Sequence, residues 1–136
     1  VAYITDALRL LESYLAASGR FSAVTIGQPT APPESPAAAV YLGRGSANLL
    51  TQSSFQRERE VVVRVYMDVS TEPVEDAEIA LDEIVYDTEG QIRADLNLST
   101  TGWFLLGDIV TEYGYADVGG RNFRVADITL PLRYKE

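Results

Sequence analysis

"SFQREREVVVRVYMDVS", residues 54–70, alternates so regularly that it reads as one long β-strand, but its two halves do not match. In the second half Val61, Val63, Val65, Met67 and Val69 share one face, with Arg64, Tyr66 and Asp68 among the residues of the other. The first half keeps the alternation and carries charge on both faces, Arg57 and Arg59 on one and Glu58 and Glu60 on the other. A strand that only filled a monomer's core would end near Val61. The charged half is therefore expected to extend past the core and meet another surface. The plainer alternative is a solvated hairpin end with cross-strand ion pairs.

Elements on either side supply what this strand needs. Upstream, Ile4, Leu8, Leu11 and Leu15 recur at helical spacing, predicting an amphipathic helix over Ala2–Ser18 that stops at Gly19. "FSAVTI" (Phe21–Ile26) and "AAVYL" (Ala38–Leu42) read as strands. Between them "GQPTAPPESPA" holds four prolines, which forbid a helix and favour an extended arm. "GRGSANLLTQSS" (Gly43–Ser54) reads as a polar loop that exposes the Leu49–Leu50 pair.

Downstream, Thr71 is placed to cap a second helix with Pro73 in its first turn. Val74, Ala77, Leu81, Ile84, Thr88 and Ile92 form its buried stripe and carry it to about Ala94. Two antiparallel strands, Trp103–Tyr115 and Phe123–Tyr134, are joined through a Gly119–Gly120 turn. The inward face of the last strand is Ala126, Ile128, Leu130, Leu132 and Tyr134, and Pro131 predicts an edge position for it. The order α-β-β-β-α-β-β predicts an α+β fold, a mostly antiparallel β-sheet packed by two α-helices. Residues 1–136 read as a single domain with no internal repeat, large enough to bury a core without disulfides.

Composition narrows the chemistry. The chain has no histidine and no cysteine, so the usual triads, thiol nucleophiles and zinc sites cannot be built. No apolar run approaches the ~20 residues of a membrane span, and no signal-peptide pattern precedes the first helix. A net charge of −9 argues against stable binding to a phosphate backbone. The basic residues are arginines except for Lys135, a skew that suits interface ion pairs and equally suits codon bias in a GC-rich genome.

The one dense carboxylate set lies on the second helix and splits across the wheel. Glu75, Glu78, Asp82 and Glu89 fall on one side of the buried stripe, and Asp76, Glu83 and Asp87 on the other. Such a split predicts a solvated acidic face rather than a metal-dependent phosphoesterase centre. Ile79 and Tyr86 stand between those acidic stripes, two turns apart and turned from the core, as an interface anchor with a polar rim would. No catalytic, cofactor-binding or metal-ligating residue is assigned. The candidate interface residues are Arg57, Glu58, Arg59, Glu60, Leu49, Leu50, Ile79 and Tyr86.

A succession of motifs then adds a resemblance. "ALRLLESYLAASGRFSAVTIGQPTAPP", "AAVYL", "VVVRVYMDVSTEPVEDAE", "RADLNL" and "LGDIVTEYGYADVGGRNFRVADITLPL", in that order and spacing, resemble the tail terminator (tail completion) proteins of long-tailed bacteriophages of actinobacteria. "LLTQSSFQRERE" falls outside that pattern. The resemblance implies a structural virion protein, assembled in the host cytoplasm and located in the neck region of the tail. It implies a ring of this chain, usually a homo-hexamer, that stops tube polymerisation and offers the surface for head–tail joining. The implied partners are the tail tube protein and a neck protein, with DNA passing through the lumen without specific binding and no membrane or cofactor involved. The alternative within this reading is another head–tail connector.

Overall fold

The structure, a computed structural model, describes residues 3–51, 54–69, 74–95, 101–105 and 107–135, with the side chains of residues 48–51, 54, 55, 95 and 135 left outside the description. Two helices and six strands follow in the order α1 (Ile4–Ala17), β1 (Ala23–Ile26), β2 (Ala37–Thr51), β3 (Ser54–Asp68), α2 (Val74–Asp95), β4 (Phe104–Leu105), β5 (Val110–Val118) and β6 (Arg121–Lys135). All six strands join one mixed, mostly antiparallel sheet in the order β1-β2-β3-β6, with both β4 and β5 on the far side of β6. The fold is α+β. The strand expected over Trp103–Tyr115 divides into β4 and β5 around Gly107, whose φ of +89° needs a glycine.

β3 lies at the centre, paired with β2 on one side and β6 on the other, both antiparallel. Its two faces differ as the alternation predicts. Val61, Val63, Val65 and Met67 join Ala126, Ile128, Leu130 and Leu132 of β6 in the main core, under Leu8, Leu11 and Leu15 of α1 and Ala77, Leu81, Val85 and Ile92 of α2. Each fully buried aliphatic side chain contributes roughly 1.5–3 kcal/mol, so this two-layer core is the principal stabilising element. On the opposite face Tyr66, Phe123, Val125, Ala37, Ala39 and Val118 form a smaller cluster, with the Tyr66 and Phe123 rings edge-to-face at 5.7 Å. Arg64 on that face forms a bidentate pair with Asp127 of β6, Nε to Oδ1 at 2.6 Å and Nη2 to Oδ2 at 2.9 Å. Its guanidinium also lies 5.7 Å from the centre of the Tyr41 ring.

The proline arm, residues 27–36, connects β1 to its parallel neighbour β2. It brings Pro32 against the β5–β6 turn, where a Cβ on Gly119 would lie 2.6 Å from the Pro32 Cδ. Gly119 and Gly120 both have positive φ, +58° and +85°, as a two-residue hairpin turn requires.

Four expectations are corrected. First, Gly43–Thr51 is not a loop but the second half of β2, paired with β3 as far as Thr51–Ser54. Its glycines and polar residues weaken any local strand signal, and cross-strand pairing supplies what propensity lacks. Second, β6 is interior rather than an edge. Pro131 is tolerated because the far-side ladder is interrupted there, Leu132 pairing with Leu105 of β4 and Thr129 with Val110 of β5. Third, Val74 at the start of α2 is 63% exposed and lies off the buried stripe, which runs through Val85 instead. Fourth, the first strand begins at Ala23, with Phe21 packed on the core ahead of it. The Thr71 cap and Pro73 lie outside the described residues.

Candidate subunit interface

The charged half of β3 is a full member of the sheet. Arg57, Glu58, Arg59 and Glu60 stand opposite Tyr134, Arg133, Leu132 and Pro131 of β6. On the other side Arg57, Glu58 and Arg59 stand opposite Ala47, Ser46 and Gly45 of β2. The core also runs further under this half than the sequence implies. Leu132 is 1% exposed, and the Tyr134 ring packs at 5.5 Å on buried Trp103. The charged half therefore rides over the rim of the core instead of projecting clear of it.

The four charges play different parts. Glu58 Oε1 accepts a hydrogen bond from Arg133 Nη2 at 2.6 Å and another from Gln56 Nε2 at 3.3 Å, so this cross-strand pair is internal to the chain. Both partners keep appreciable exposure, which limits the pair to roughly 0–1 kcal/mol. Arg59 Nη1 donates to two backbone carbonyls, Ser46 and its neighbour Glu58, each at 2.8 Å. The arginine can lie there because residue 45 is glycine: a Cβ would sit 2.9 Å from its Cδ. Glu60 Oε2 accepts from the Arg44 backbone N–H at 3.4 Å, at a bulge where β2 has one residue more than β3 between the Leu42–Val61 and Gly45–Arg59 pairs. Among the described residues, no carboxylate forms a salt bridge with Arg44, Arg57 or Arg59. Beside the bulge lies an open groove of about 330 Å³ whose lining mixes both signs, with Arg44, Arg59 and Arg133 alongside Glu58 and Glu60.

The acidic helix divides in a way the wheel only half predicts. Glu78 is salt-bridged to Arg124 of β6, Asp82 Oδ1 accepts from the Tyr113 hydroxyl at 3.4 Å, and Glu89 accepts from the Thr111 hydroxyl. Glu78, Asp82 and Glu89 of one acidic stripe thus engage β5 and β6 as an internal seam while Glu75 stays exposed, and the expectation of a solvated acidic face is corrected for those three residues. Arg124 is held in that seam between the Tyr115 and Tyr113 rings, 4.7 and 5.7 Å from their centres. Burial, reinforced by nearby Asp82, pushes the Tyr113 hydroxyl above its ordinary pKa. Three carboxylates engaged with three separate groups do not converge on a point, and no metal-holding cluster occurs among the described residues.

The second stripe, Asp76, Glu83 and Asp87, is exposed and without a salt-bridge partner among the described residues. Beside it Ile79 and Tyr86 are 54% and 76% exposed. These two apolar side chains face outward as expected. The backbone of Leu49 pairs with Phe55, and Leu50 lies at a register irregularity before Thr51; their side chains lie outside the described residues, so the exposed pair expected there is not placed. The arrangement thus gathers Arg57–Glu60 at one end of the sheet and Ile79 with Tyr86 on α2, as two separate surfaces.

Sequence reading missed Arg44, Gly45 and Arg133 as parts of the first surface. The signal available was the "GRG" of residues 43–45, which makes sense only once β2 is known to continue through it. No protein-family model matches the chain, and no curated protein matches its sequence.

Proposed function

We propose that this chain is a structural subunit of a bacteriophage tail, forming a ring at the head-proximal end of the tail tube that stops tube growth and carries the surface for head–tail joining. The tail-specific part of this reading rests on the succession of motifs, which fall in order on α1 with β1, on β2, on β3 with α2, and on the β5–β6 hairpin.

One observation carries the assembly part. Among the described residues, Arg44, Arg57 and Arg59 on the β2–β3 hairpin and Asp76, Glu83 and Asp87 on the outer face of α2 form no salt bridge, so the chain carries one group of arginines and one group of carboxylates well apart from each other. Exposed ion pairs contribute little within a monomer, roughly 0–1 kcal/mol each. Across an interface that excludes water, truncating one member of a close charge pair costs roughly 2–5 kcal/mol. A chain that keeps its signs apart gains from meeting other chains. The net charge of −9 supports the remaining element of the reading, because a channel through which DNA slides must not grip phosphates.

The test is the mass of the purified chain alone and after mixing with its tail tube protein. A monomer or weakly associating species alone, converting to a ring of defined stoichiometry on the tube, is the expected result. A stable dimer built on an apolar two-fold interface, unchanged by the tube protein, would overturn the proposal.

A further inference from the structure

We propose that the sheet continues from one copy of the chain to the next, β5 of one copy pairing antiparallel with the part of β2 that runs past β1 in its neighbour. This deepens the ring reading and rests on it.

Backbone alternation gives both strands free hydrogen-bonding groups. Arg59 Nη1 donates to the Ser46 and Glu58 carbonyls, each at 2.8 Å. Ser46 and Glu58 are cross-strand partners, and one nitrogen reaches both oxygens only where they lie between the strands. Gly45 and Ala47 therefore turn their N–H and C=O groups to the outer side of β2. β1 pairs only with Ala37–Val40, and the Gly27 N–H donates to the Val40 carbonyl at its end. Past that point no described strand covers this edge. At the other side of the sheet, the unbroken β3–β6 and β5–β6 registers carry the same alternation across. There Thr111, Tyr113, Tyr115 and Asp117 turn their backbone groups outward.

An open edge is a template for another strand. Monomeric sheets protect theirs with proline or lysine, and neither edge here carries one. The bulge at residues 43 and 44 leaves residues 45–49 in unbroken register with β3. β5, nine residues long, has that stretch of β2 to lie along.

The side chains favour β2 as the partner. Gly45 lies beside Arg59, and Tyr113 bonds to Asp82 of α2, so the outward-bonding residues of both edges carry their side chains on the helix face. Antiparallel partners share a face, which places the helices of both copies on one side of the continued sheet. The Tyr113 and Tyr115 rings, 44% and 63% exposed, would then stand over Gly45 and Ala47, where little side chain competes for the space. An aromatic ring over an edge glycine is a stabilising cross-strand pair. Past those small residues the rings meet Arg57 and Arg59 of β3, while Glu58 and Glu60 project to the opposite face. Arg124 stacks on the same two rings within the chain, which is the contact the incoming arginines would repeat.

Pairing β5 with another β5 would instead set tyrosine against tyrosine and bring the Asp82 and Asp117 groups of two copies together, and like charges across strands destabilise. β5 on β2 joins two unlike edges. Such a contact is heterologous, and it yields a ring or an open filament rather than a two-fold dimer.

The experiment blocks one edge at a time in the full-length chain. Ala47→Pro removes an outward N–H from β2 and Tyr113→Pro removes one from β5, positions where an edge strand tolerates proline. Sedimentation velocity up to about 1 mM should show the unaltered chain associating beyond a dimer, with Kd roughly 0.1–1 mM. Each variant alone should stay monomeric. Their equimolar mixture should form a one-to-one dimer and stop, because the first variant keeps β5 and the second keeps β2; that dimer also shows that both fold. In the unaltered chain, residue-resolved hydrogen exchange should slow about two- to fourfold between about 20 µM and 1 mM at Gly45, Ala47, Tyr113 and Tyr115. Ser46 and Gly114, whose amides bond within the chain, should change less. Unaltered chain that stays monomeric, association without this alternation, an Ala47→Pro chain that associates as well as the parent, or a mixture that stays monomeric would overturn the contact. Tail capping reads the other proposal separately. Chains that join by these edges but leave tubes uncapped would overturn the ring-terminator function alone, and capping that survives both proline substitutions would overturn this contact alone.

Discussion

Arg57 and Arg59 share a strand face and differ only two positions in sequence, yet the structure gives them unequal parts. Arg59→Glu removes two hydrogen bonds to the Ser46 and Glu58 carbonyls and sets a carboxylate beside Glu58 and Glu60. Each bond contributes a net ~0.5–1.5 kcal/mol, and partial exposure places both toward the lower end, for a combined loss of about 1–2 kcal/mol. Unfolding entropy of about 2.1 cal/mol/K per residue over this length makes 1 kcal/mol worth about 3.5 °C, so Tm should fall by roughly 3–7 °C. Arg57→Glu removes no ion pair or hydrogen bond to a described residue, and its effect should stay within about 0.5 kcal/mol, or some 2 °C. Differential scanning calorimetry of the free chain at low concentration reads both. Equal shifts for the two variants would mean that the Gly45 notch and the carbonyl contacts of Arg59 stabilise nothing, and that the charged half is uniformly solvated.

Asp127→Ala strands the Arg64 guanidinium in a site where both side chains are less than a third exposed, at a cost of about 2–3 kcal/mol by urea denaturation; a loss under 0.5 kcal/mol would contradict the bidentate pair. Gly119→Ala combines a left-handed backbone with a Cβ against the Pro32 ring and should destabilise by about 2 kcal/mol, with faster hydrogen exchange in the proline arm; unchanged exchange there would show that the arm does not bear on this turn. Burial raises the hydroxyl pKa of Tyr66, and of Tyr41 with help from Asp127, so both stay neutral in the folded chain. Groups raised on folding stabilise fully below their unfolded pKa of about 10 and lose that contribution as pH climbs toward the folded value. Stability should therefore fall above about pH 10, less steeply in Tyr66→Phe, and equal slopes would contradict the assignment to this buried ring.

Where the sequence spoke through a repeat it was legible. Leu8, Leu11 and Leu15 announce α1 at a 3.6-residue period, and Val61, Val63 and Val65 announce β3 at a period of two, because burial on one face imposes those periods. The Gly119–Gly120 turn was legible for a local reason, two residues of positive φ in a row. What stayed hidden depends on partners distant in sequence. Residues 43–51 have no strand-like composition, and they are a strand because β3 pairs with them. Pro131 looked like an edge marker because the break between β4 and β5 that accommodates it lies in another part of the chain.

The same reasoning applies to the surface. Arg57–Glu60 could be singled out from their alternation, but the groove beside them needs Arg44 across one strand and Arg133 across the other, a proximity that only pairing creates. The acidic helix could be divided by its wheel, while the choice of which stripe is internal needed Arg124, Tyr113 and Thr111 in place.

The most direct test of the account is electron microscopy of tail tubes polymerised with and without this chain. With it, tubes should carry a ring at one end and stop growing there, and the chain with Ala47→Pro should leave ends bare and lengths uncontrolled. Tubes of the same length distribution with bare ends whether or not the unaltered chain is present would contradict the claim that this protein terminates a tail.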